Sequence, residues 1–173
     1  MSDATELLST IVEFSVGLAG FSGLVGAFMH RSGKWLYVDQ FRITNLLLMS
    51  LTPGFLAFLT LGLIQVSDSA IELSAAAFAT ALALLLILIP RARAKVPARD
   101  QHLVGLHIFI PIASTFGVLL VVQTLLAISV ISSNAFIIYY FSLVVMLLLA
   151  VVQFARLILA RPDASPAQTE DDA

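Results

Sequence analysis

The sequence predicts an all-α fold, an integral membrane bundle of five transmembrane helices. Of its 173 residues, 60% are hydrophobic and 12% charged, with a mean hydropathy of +1.01. A soluble globular domain is about 45–50% apolar and about 25% charged. Apolar runs near 20 residues recur five times, each long enough to cross roughly 30 Å of hydrocarbon. All nine Lys and Arg residues fall on one side of a five-span topology.

The predicted spans are 7–29, 43–66, 70–89, 103–131 and 135–160, forming one domain over 1–160. The segment before the first span, MSDATELLST, is acidic where a secretory signal needs a basic start, so that span reads as a permanent helix. Long basic loops follow the first and third spans, and short neutral ones follow the second and fourth. Arg31, Lys34 and Arg42 flank the first long loop; Arg91, Arg93, Lys95 and Arg99 fill the other; Arg156 and Arg161 close the last helix. Basic loops face the cytoplasm, so the N-terminus is expected outside and the C-terminus inside. Trp35 and Tyr37, and at the opposite level Tyr139 and Tyr140, suit interfacial belts. The tail over 161–173, rich in Pro, Ala and acid, is expected to be disordered.

The first span is expected at the centre of the bundle. Gly17, Gly20, Gly23 and Gly26 stand at three-residue spacing; in a soluble helix each would cost about 1 kcal/mol relative to Ala. In lipid, small residues let helix backbones approach closely. Glu13, Gly17, Gly20 and Ala27 share one face, and Ser15, Ala19, Ser22 and Gly26 another. Two small faces imply neighbours on two sides.

Glu13 has two accounts. Thr10-Ile-Val-Glu13 fits a capping box at a helix start near the interface. Alternatively, a carboxylate inside a span handles a proton or cation. Ser69-Ala-Ile-Glu72 repeats the spacing at the third span, so Glu72 is either a second cap or part of a shared outer site.

The second and fourth spans carry Pro53 and Pro111, which free the carbonyls of Met49 and His107. Such carbonyls coordinate ions in broken helices; in simple kinks Ser, Thr or water satisfies them, and Thr52, Ser114 and Thr115 are close in sequence. Asn45, His107, Gln153 and Arg156 are expected to turn inward and bond one another, with Gln123 nearer the outer side as a partner for Glu13. His107 is either a titrating group or a hydrogen-bonded packing residue. The stretch RARAKVPARD could meet anionic head groups, or serve topology alone.

Several classes are excluded. No Cys is present, so no disulfide or thiolate metal site forms. GxSxG, P-loop and HExxH patterns are missing, so neither an enzyme, a metal site nor a cofactor is expected. Few basic residues, held at a membrane, argue against a nucleic-acid partner. The Gly-rich first helix, the loop bearing Trp35, Asp39 and Arg42, and the proline-bearing second helix resemble small bacterial membrane proteins. That resemblance implies a bacterial inner membrane and carries no catalytic residue across.

The expected partners are the lipid bilayer and either further copies of the chain or another membrane protein. One functional expectation is an oligomeric channel or transporter for an ion or proton, using Glu13, Glu72, Asn45, His107 and Gln123. The other is a non-conducting subunit or scaffold that binds transmembrane helices, for which Glu13→Gln is harmless.

Overall fold

The computed structural model describes residues 2–31, 37–94, 96, 106–131 and 133–159. These form five helices: α1 (Ser2–Arg31), α2 (Tyr37–Ile64), α3 (Ala70–Ala94), α4 (Leu106–Ala127) and α5 (Ala135–Leu159). All five are long and apolar enough to cross a membrane. The expected tail disorder over 161–173 and the Trp35 belt position lie outside the described residues.

Helix α2, not α1, is the hub. It packs against α1, α3 and α5, while α1 rests almost entirely on α2. α4 lies outside α3 and hardly touches α5, although only a short loop joins them. α1 and α2 run antiparallel: Ser15 meets Gly54 near the middle, and Gly26 meets Ile43 nearer the α1 C-terminus. α5 presents one stripe at helical spacing, including Tyr139, Leu143, Met146, Leu147 and Ala150, to the core. Phe78 of α3 meets the Tyr139 ring edge-on, at 6.0 Å between centroids.

The outer surface is as apolar as the core. Phe14, Phe21, Phe28, Phe55, Phe58 and Phe141 are each more than half exposed. Apolar exposure on this scale, spread around the bundle, suits a lipid-facing surface and far exceeds the patches of soluble monomers.

Helix ends differ from expectation in instructive ways. α1 starts at Ser2, and the Thr10 hydroxyl donates to the Glu6 carbonyl at 3.0 Å. Thr10 and Glu13 are therefore mid-helix, and the predicted capping box there does not exist. α3 begins at Ala70 with Glu72 in its first turn, as the Ser69–Glu72 spacing predicts. It continues through Pro90 to Ala94, although the proline removes the ladder bond to the Leu86 carbonyl.

α4 ends before residue 131. Ser129 adopts φ 56°, and the amides of Ser129 and Val130 donate to the Leu126 and Leu125 carbonyls. That is a Schellman termination with Ser in the left-handed position usually filled by Gly, and the missing Gly hid it. Nor do hydroxyls reach the carbonyls freed by proline. Thr52, Ser114 and Thr115 donate instead to Leu48, Ile110 and Pro111.

Among the described glycines, Gly54 has the least room for a side chain. A Cβ there would lie 2.5 Å from the Ser15 Cβ, whereas at Gly17, Gly20 and Gly23 it would meet nothing within 4 Å. The Ser15 Cβ is anchored to the backbone and cannot swing aside. Gly54→Ala is therefore expected to destabilise the bundle by about 1–3 kcal/mol through overpacking. Gly20→Ala should be neutral or stabilising, by up to about 1 kcal/mol of helix propensity. Unfolding midpoints of the detergent-solubilised variants measure both; equal destabilisation would contradict this packing.

Candidate functional site

Helix α1 presents two unlike faces. Toward α2 it buries Leu8, Ile11, Ser15, Leu18, Ser22 and Gly26. Of the two predicted small faces, this one finds its neighbour. The other, with Glu13, Gly17, Gly20 and Ala27, points away from the bundle and is exposed, as is Leu24 one turn beyond Gly20. Gly23, at the border, is exposed as well; of the four spaced glycines only Gly26 is buried, in contact with Ile43. Close neighbours on both sides of α1, expected from sequence, are not found within one chain.

Glu13 is thus an exposed carboxylate on a helix about 45 Å long. It precedes Phe28 by about 22 Å along the axis. If Phe28 marks one edge of a roughly 30 Å hydrocarbon layer, Glu13 lies about 7 Å inside the other. An ionised carboxylate facing lipid at that depth is unfavourable unless a donor or cation meets it.

The remaining candidates do not converge. Glu72 is half-buried at the start of α3, and Asn45 is half-buried on α2. His107 lies in the first turn of α4, and its side chain is outside the described residues. Pro111 and Ser114, four and seven residues further along the same helix face, are exposed. Gln123 is wholly buried, and neither its amide nitrogen nor its oxygen has a hydrogen-bond partner. The predicted Gln123–Glu13 pair is therefore absent; α1 and α4 scarcely touch. Among the described residues, no group of His, Asp and Glu could hold a metal ion.

Buried polar groups are handled locally instead. Ser22, Ser50, Thr60 and Ser142 each donate to a carbonyl three or four residues back in their own helix. Tyr139 is the exception that sequence reasoning missed. Placed by prediction in an interfacial belt, it is fully buried, its hydroxyl 2.8 Å from Thr60 Oγ1 and 3.3 Å from the Leu56 carbonyl. Its position on the buried stripe of α5 was the available signal.

A groove of about 810 Å³ runs between α1, α2 and α3. Val12, Val16, Phe55, Phe58, Ala81 and Leu84 are among its lining residues, and none of the predicted site residues reaches it. Its two threonines, Thr52 and Thr80, already donate to carbonyls of their own helices. The groove can accommodate hydrocarbon but offers almost nothing to an ion.

Comparison with protein-family models, with curated proteins and with solved structures gives no match. The site therefore rests on the geometry above.

A buried amide with no partner destabilises a fold by about 1–3 kcal/mol. Gln123→Leu, close in volume and apolar, should raise the unfolding free energy in detergent by about 1 kcal/mol or more. A fall would mean that the amide is engaged.

Proposed function

We propose that this chain is a non-conducting multi-pass subunit of a bacterial inner membrane, N-terminus outside, whose α1 binds a transmembrane helix of another protein. The observation that carries the proposal is the exposed face of Glu13, Gly17 and Gly20, unpacked within the chain. Glycines at that spacing admit a close helix, and in lipid such proximity is the main source of helix association. The carboxylate defines the partner's chemistry, which is a hydrogen-bond donor or a cation at the level of Glu13. A second, parallel copy would not supply the cation, since the predicted topology sets every Lys and Arg of this chain toward the opposite end of the spans. A different protein fits better.

The second reading is an oligomeric ion or proton channel. Its support is Glu13 alone, which several copies could gather around a common axis. Against it, none of Glu13, Glu72, Asn45 and Gln123 lines the groove between α1, α2 and α3, and the four lie on separate helices.

Two variants separate the readings. A photo-crosslinker at Leu24, exposed one turn beyond Gly20 on the same face, should capture one defined membrane protein, while one at the similarly exposed Val118 of α4 should not. Gly20→Ile, which blocks close approach, should abolish the adduct. Glu13→Gln, still an acceptor, should keep it, with reconstituted protein passing no ions or protons. Proton or ion flux through liposomes that is lost in Glu13→Gln would overturn the proposal in favour of the channel.

A further inference from the structure

The end of α3 carries a cation with no counter-charge among the described residues. Arg91 and Arg93 lie in its last turn, where the free helix carbonyls favour positive groups. Arg93 is half-buried, and its guanidinium carbon stands 5.5 Å above the ring centroid of Phe109 on α4. That contact bridges α3 and α4 and fixes the guanidinium plane. Its Nε is buried and has no hydrogen-bond partner. Among the described residues, no hydrogen bond or ion pair to its two terminal nitrogens is found.

Depth and charge identify what such a group meets. The 20 residues of α3 from Ala70 to Ile89 span about 30 Å, the thickness of the hydrocarbon layer. Arg93 lies four residues further, about 6 Å beyond it, at the level of lipid head groups. Arg42 and Arg156 belong to the same end of the bundle, and no described carboxylate side chain does. A guanidinium stacked on an aromatic ring keeps its in-plane N–H edge for oxygens, a geometry suited to two phosphate oxygens.

We propose that Arg93, braced by Phe109, is a binding site for a phosphate oxyanion, supplied by the head group of an anionic lipid. This assignment does not depend on what α1 binds. It requires only that this end of the bundle lies at a membrane surface.

The test is a titration of the purified full chain in neutral detergent, reading the shift in unfolding temperature. The ligands are phosphatidylglycerol, phosphatidylcholine and inorganic phosphate. Phosphatidylglycerol should stabilise the wild type. Arg93→Gln should raise its half-maximal concentration about tenfold or more, as expected for a lost charged hydrogen bond. Arg91→Gln, removing one general surface charge, should raise it by no more than about fivefold. Arg93→Lys guards against misfolding: it keeps the charge and should fall between the wild type and Arg93→Gln. An Arg93-dependent shift with inorganic phosphate would confirm the oxyanion site and make free phosphate a ligand too. Equal losses in Arg91→Gln and Arg93→Gln would reduce the effect to diffuse attraction and overturn the site. So would an equal response to phosphatidylcholine, or no dependence on Arg93.

Discussion

A peptide backbone in hydrocarbon has no water to bond with, so each helix must satisfy its own amides and carbonyls. This chain extends that rule to its side chains. The buried hydroxyls of Ser22, Ser50, Thr60 and Ser142 turn back to carbonyls of their own helices, while that of Ser15 is buried without a partner. What remains for holding helices together is mostly shape: Ser15 against Gly54, Gly26 against Ile43, and the interlocking stripe of α5. The Tyr139 hydroxyl, bonded to Thr60 and the Leu56 carbonyl, adds a polar link between α5 and α2.

That economy explains why the functional candidates scatter. Polar residues in a membrane helix were expected to seek each other, yet a hydroxyl one turn from a carbonyl finds its partner locally. Gln123 is too long for that solution and remains without a partner. Glu13 lies on the face of α1 opposite its packing face, with two exposed glycines beside it. The arrangement suits a protein whose chemistry is recognition of another helix, since the groove between α1, α2 and α3 takes in none of its ionisable groups.

Much of the fold was legible in the sequence. Five apolar runs gave five helices, because span length is set by bilayer thickness and little else. The start of α3 followed from the Ser69–Glu72 spacing, and the basic residues marked the end of the bundle where Arg93 now stands out. Packing was less legible. Four glycines in α1 suggested a central helix, but small residues permit close approach without saying which neighbour accepts it. The decisive glycine was Gly54, a single residue beside Pro53 with no stripe to advertise it. Helix ends governed by local geometry, such as the Ser129 termination of α4, likewise left no composition signal.

The account stands on five helices crossing the bilayer with every basic residue at one surface. The chain has no cysteine, so single introduced thiols report cleanly. Asp68→Cys, Ser133→Cys and Arg91→Cys place a thiol at exposed positions of the α2–α3 loop, the α4–α5 loop and the end of α3. On intact cells a membrane-impermeant maleimide should label the first two, and the third only after permeabilisation. Labelling of Arg91→Cys from outside, or of all three alike, would contradict it.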